Sequence, residues 1–181
     1  MVLFLYSLDC EGIKMLDRKH QNILVAIDGS DEAEQAFRKS VIIAKKNNSS
    51  LFITHVNDTR ALRSFPSFDN PISHNDFMDQ TYKEAEATLN VYRKWAEDRK
   101  LINVKTILRF GSPKVEIAKN IPKEHHIDLI LLGATGLNAV ERILIGSVSE
   151  YVVRNAPCDV LIVRAHEEEA EDHERITNDD F

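Results

Sequence analysis

The sequence predicts an α/β fold: a five-stranded parallel sheet with helices on both faces, making a three-layer sandwich. Three observations predict it. Five short runs rich in β-branched residues alternate with four longer amphipathic or capped stretches. Strict alternation of strand and helix calls for parallel crossovers. The short runs are continuously apolar, as strands buried on both faces must be.

The first strand is "NILVAI", Asn22 to Ile27, and it stops at the turn Asp28-Gly29-Ser30. Ser30 or Asp31 can cap the helix that follows. That helix carries Ala33, Phe37, Val41 and Ala44 at helical spacing, and "NNSS" ends it. "LFITHV", Leu51 to Val56, is the second strand. Residues 58–75 read as a loop with Pro66 and Pro71. A long helix then places Met78, Tyr82, Ala85, Leu89, Tyr92 and Ala96 in one stripe, which reads as core packing. "NVKTILRF" is the third strand, ended by Gly111. Ser112-Pro113 opens a short helix, with proline at its first position. "DLILL" is the fourth strand. "GSVSEYVVRNA" is the last helix, with Val148, Tyr151, Val152 and Asn155 on one side, and "DVLIV" is the fifth strand.

A chain of 181 residues with no internal repeat suits one domain with tails. Residues 1–19 read as an N-terminal extension, the rival reading being a short segment packed on an edge or a partner. Residues 20–165 read as the domain and 166–181 as an acidic tail. The tail holds eight acidic side chains against one arginine; a net charge of −6 therefore leaves residues 1–166 near +1. A nearly neutral body without a basic stripe argues against nucleic acid as a partner. Apolar runs are too short for a membrane helix, and "VLFLY" makes a poor signal peptide. Two cysteines, Cys10 and Cys158, suit a reducing cytoplasm.

The chemistry gathers after the first and fourth strands. In open α/β sheets, ligands bind outside the carboxyl ends of strands where the strand order reverses. Gly133 and Gly136 let backbone approach a ligand without a Cβ in the way. Gly146-Ser147 opens a helix, whose free N–H groups and partial positive charge suit a phosphate. A carboxylate at Asp28 repels phosphate, so it suits ribose hydroxyls, an adenine-side contact or a metal ion, or else serves only to cap the first helix. The residues thus read as a nucleotide site, with the base near the early strands and phosphates near Gly133 and Gly146.

These segments resemble the universal stress protein family. Gly133-x2-Gly136-x9-Gly146-Ser147 resembles its nucleotide motif, and "ILVAIDGS", "DLILLGATG" and "GSVSEYVVRNAPCDVLIV" resemble its first strand, fourth strand and closing helix and strand. The resemblance spans residues 20–165. It implies strand order 3-2-1-4-5 in a Rossmann-like sheet, like that of adenine nucleotide α-hydrolases. It also implies a cytoplasmic homodimer joined through the last strand, acting in the stress response. The intact glycine motif implies ATP or a related adenine nucleotide as ligand, with or without Mg2+. Asp28 and Val56 are then expected near ribose and adenine, with Ala26 added to the binding set. Gly133, Gly136, Gly146, Ser147 and Val148 are expected around the phosphates. Two departures stand out: Thr135 where many members have arginine, and Asp159 where proline often follows the cysteine. Arg142 is either a partial replacement for the lost charge or a solvated surface residue.

Other candidates read as structural. His55 suits a strand histidine with its bonds satisfied. His125-His126 lacks the spacing of a helical metal pair. Cys158 reads as a small hydrophobe. No phosphate-loop lysine, nucleophile elbow or positioned base is found. The chain therefore reads as a regulatory module, with slow ATP hydrolysis or autophosphorylation at most. Two alternatives are a dimeric interaction protein without nucleotide and an adenylate-handling enzyme of the same architecture.

Overall fold

The structure, a computed structural model, describes residues 19–58, 71–136 and 145–164, with backbone alone for 71–77. The expectations for the N-terminal extension, the acidic tail and Arg142 lie outside the described residues.

Five strands form one parallel sheet of order β3-β2-β1-β4-β5. They are β1 (Asn22–Ala26), β2 (Ser50–Asp58), β3 (Val104–Gly111), β4 (Leu129–Gly133) and β5 (Asp159–Val163). The central strand β1 pairs with β2 on one side, Ile23 opposite Leu51, and with β4 on the other, Ile23 opposite Leu129. The strand order reverses between β1 and β4.

Alternate strand residues serve opposite faces. Ile23, Val25, Leu51, Ile53, Leu129 and Leu131 face α1 (Asp31–Asn47) and α2 (Pro71–Asp98). Leu24, Phe52, Ile130 and Ile162 face the second helical layer. That layer comprises α3 (Pro113–Val115), a π-helical stretch Glu116–Asn120, α4 (Ile121–His125) and α5 (Ser147–Asn155). Both faces are covered, which explains the uninterrupted apolar strands.

Of the two candidate caps, Ser30 holds α1: its hydroxyl accepts from the Ala33 N–H at 3.2 Å. Asp28 supports that cap, accepting from both the amide and the hydroxyl of Ser30. Asn48 ends the helix in the left-handed conformation.

Two readings of local pattern need correction, and the short helix opening at Pro113, as expected, gains a detail. The long helix begins at Pro71, inside the stretch read as loop, since proline fits a first helical turn. Its stripe is core only from Ala85 to Ala96; Tyr82 is 47% exposed and stacks on Phe110. At 28 residues α2 is about 42 Å long, against about 30 Å for the longest strand, so its first turns overhang the sheet. The helix after Ser112 is not uniform. Pro122 has no N–H for the Ala118 carbonyl, and the chain takes a π register there, with the Ile121 N–H donating to Glu116.

Candidate functional site

A cleft of about 480 Å³ opens at the carboxyl ends of β1, β2 and β4. This is the switch point where a ligand site is expected. Ala26 and Asp28 line it from the end of β1, and Val56 from β2. Gly133 and Gly136 contribute from the turn after β4, and Gly146, Ser147 and Val148 from the start of α5. All eight candidate residues, up to 122 positions apart in the chain, therefore surround one space.

Their roles differ. A Cβ on Gly133 would stand 2.8 Å from the Ala33 nitrogen and 2.9 Å from the Glu32 carbonyl carbon. Gly133 is thus required for β4 to pack against the first turn of α1, apart from any ligand. A Cβ on Gly136 would meet the Asp28 Oδ2 at 2.6 Å, so glycine there lets the turn lie against that carboxylate. At Gly146 a Cβ would be 3.3 Å from the Ala134 carbonyl, a tight but adjustable contact. The Gly146 N–H donates to that same carbonyl, at 2.6 Å, so it does not point at a ligand.

The first helical bond of α5 runs from the Glu150 N–H to the Gly146 carbonyl. The N–H groups of Ser147, Val148 and Ser149 precede any helical carbonyl partner. They sit on the cleft wall, where the helix end carries partial positive charge. The arrangement can hold an anion.

Several lining residues escaped the sequence reading. The hydroxyl of Ser149 donates to the Gly133 carbonyl at 2.8 Å and pins α5 to β4. Asp58 closes the end of β2, while Pro113 and Ile117 reach the cleft from the second helical layer. Leu132, Val56 and Ile117 make that side apolar, suited to a flat base. Thr135, on the same wall, donates its hydroxyl to Glu32 at 2.8 Å.

The remaining candidates are structural. His55 bonds through Nδ1 to the Ile27 carbonyl and through Nε2 to the Asn57 side-chain amide, each at 3.0 Å. His126 takes the left-handed position that ends α4, and the His125 ring lies beside Phe52. Burial, with Asp159 and Asp128 nearby, pushes the Cys158 thiol up to about 12, so it stays protonated near neutrality. Among the described residues, no group of three His, Cys, Asp or Glu side chains is placed to hold a metal ion.

Comparison with known proteins decides the family. The profile of the universal stress protein family matches residues 19–164. The chain belongs to the universal stress protein family. A relative of that name in Staphylococcus haemolyticus is 45% identical over 148 residues, spanning 82% of this chain and 87% of the relative. The solved structure of universal stress protein UspA from Lactobacillus plantarum superposes with a TM-score of 0.71 at 34% identity, covering 82% of this chain and 100% of that one. A universal stress protein in complex with cAMP superposes with a TM-score of 0.56 at 26% identity, covering 81% and 98%. Among the described residues, no helix is long and apolar enough to cross a membrane.

Proposed function

We propose that this universal stress protein is a regulatory module that binds ATP or a related adenine nucleotide in the cleft. The observation that carries the reading is the convergence of all eight motif residues on one cleft, with the α5 N-terminus on its wall. The apolar side formed by Val56, Leu132 and Ile117 takes the base. The Asp28 carboxylate accepts from the ribose hydroxyls, and the amides of Ser147 and Val148 take a phosphate. The cAMP complex of a relative supports an adenine nucleotide as the class of ligand. The role in this reading is recognition, in the stress response and in the cytoplasm.

The same reading includes a homodimer through β5. The Ala134 N–H donates to the Val163 carbonyl at 2.7 Å, which turns the Val163 N–H toward β4 and the Ile162 N–H outward. The outer edge of β5 is thereby left to pair with a second copy. Ile162→Pro removes the outward donor, and light scattering should then show monomers where wild type shows dimers; an unchanged dimer excludes this edge.

The nucleotide reading is tested by mass analysis of ligand released on denaturing the purified full chain, with calorimetry of AMP and ATP. At Gly146 the backbone (φ −68°, ψ 156°) is one that any residue adopts. Gly146→Val therefore crowds the cleft mouth without backbone strain. Binding in wild type and its loss in the folded variant are expected. Equal affinity in both would reject the site. A dimer with no bound or titratable nucleotide would instead favour an interaction module.

A further inference from the structure

We propose that Arg109 is a positioning residue for base recognition: its guanidinium ties the π turn to β3 and so holds Ile117 in place on the apolar side of the cleft. The inference rests on the nucleotide reading above and adds the residue that fixes its base-binding wall. Arg109 lies opposite Val56 in the β2–β3 register, so the two side chains stand on the same face, on strands about 4.8 Å apart. Val56 lines the cleft. The Arg109 side chain meets the helical layer on that face. Its Nη2 donates to the Glu124 carboxylate at 2.5 Å, and its Nε lies 4.0 Å from the Glu116 carboxylate.

These two carboxylates stand on either side of the break in the helix. Glu116 opens the π turn, its carbonyl accepting the Ile121 N–H. Its carboxylate braces the same turn, accepting from the Asn120 side chain at 2.7 Å. Glu124 follows Pro122 in α4. Between them Ile117 is buried and lines the cleft. The pieces around it are three residues in α3, five in the π stretch and five in α4, each too short to persist alone. The place of Ile117 is therefore set by what the segment packs on and what ties it down. Ile117, Ala118 and Ile121 supply the packing. Arg109 supplies a polar tie, from the strand beside the one that carries Val56. A single π turn at a binding wall is a common functional arrangement.

The test compares AMP with adenosine, which shares the base and ribose but has no phosphate, by calorimetry of the full chain. Arg109→Gln removes the tie. Glu116→Gln combined with Glu124→Gln removes it from the other side, and a thermal melt checks the folding of each variant. Because the ion pairs are partly exposed, each change should weaken AMP and adenosine alike, by about fivefold, leaving their affinity ratio as in wild type. Combining all three substitutions should add nothing, since they break one interaction. Loss of AMP affinity with adenosine affinity kept would mean that Arg109 acts on the phosphate by its charge, and would overturn the positioning role. Unchanged affinity for both ligands in the folded variants would overturn it too, and leave the nucleotide reading standing. Additive losses on combining the substitutions would separate Arg109 from the two carboxylates and reject the tie. No binding of either ligand by wild type would remove the nucleotide reading and this proposal with it.

Discussion

The two ends of the sheet are built differently. At the amino ends, side chains complete the hydrogen bonding. Asp128 accepts from the amides of Gln21 and Asn22, at 2.7 and 3.1 Å. The Asn22 side chain donates to the His126 carbonyl, Ser49 donates to the His20 carbonyl, and buried His20 meets Asp159 across the sheet. At the carboxyl ends, glycines hold turns close together, and the first amides of α5 have no helical partner. One end closes the fold and the other leaves a cleft. At the cleft the first amides of α5 are left without a helical partner, and at the opposite end side chains take up the backbone donors.

This contrast gives expectations that separate the two ends. The largest effect falls at Gly133, the carboxyl-end glycine packed directly against backbone of α1. Gly133→Ala puts a Cβ against backbone of α1, and should cost about 3 kcal/mol in urea unfolding, whereas Gly146→Ala should cost less than ~1 kcal/mol. Similar costs at the two glycines would erase the distinction between them. Next is Asp128→Ala, which strips two charge-assisted bonds from backbone amides. A loss of about 2 kcal/mol is expected, with nucleotide affinity unchanged; altered affinity would mean that the ends are coupled.

Ser147→Pro probes the other end. Proline is tolerated at a first helical position, and the extended Gly146 before it is compatible with proline. The substitution removes one free amide and a hydroxyl. Affinity for AMP should fall about tenfold while the unfolding midpoint barely moves, since a hydrogen bond to a charged group contributes roughly 1.5–3 kcal/mol. Full affinity in the variant would place the phosphate elsewhere.

The smallest effect is alkaline and belongs to the amino end, where Cys158 precedes β5. Below pH 9 the thiol is protonated in both folded and unfolded chains. Above it the unfolded thiol ionises, while the folded one keeps its proton up to about 12. Stability contributed by this group is therefore lost as pH rises from 9 toward 12. Tyr92, raised from 10.0 to about 12 by burial and then by Glu34 and Asp28, acts in the same direction from pH 10. Cys158→Ala should flatten the first part of the decline, seen as a smaller drop in melting temperature between pH 8.5 and 10. An unchanged slope would assign the decline to other groups.

Legibility in the sequence followed the range of the interactions. Strand positions and the Phe37–Ala44 stripe are set by local period, and the structure reproduces them. Sheet order was implied by family resemblance, because continuous apolar runs carry no information on which neighbour each strand takes. Asp28, Gly133, Gly136, Gly146 and Ser147 stood out through glycine spacing and strand ends, whereas Ala26, Val56 and Val148 were implied by the family resemblance alone. The Thr135–Glu32 bond spans 103 positions, and Ser149 reaches Gly133 across a turn. Neither has a periodic signature, so only the fold brings them out. Tyr82 continued the stripe in register, but it stacks on Phe110 near the end of edge strand β3 and stays 47% exposed. The π turn depends on which carbonyl Pro122 leaves without a donor, and hydrophobic period carries no trace of that.

The most direct test is an amide spectrum of the full chain, labelled with nitrogen-15, titrated with AMP. Saturable shifts are expected at Asp28, Val56, Gly136, Ser147 and Val148, with Gln21, Asn22 and Asp128 silent. Shifts centred on the amino-end residues, or no saturable shift at Ser147 and Val148, would contradict it.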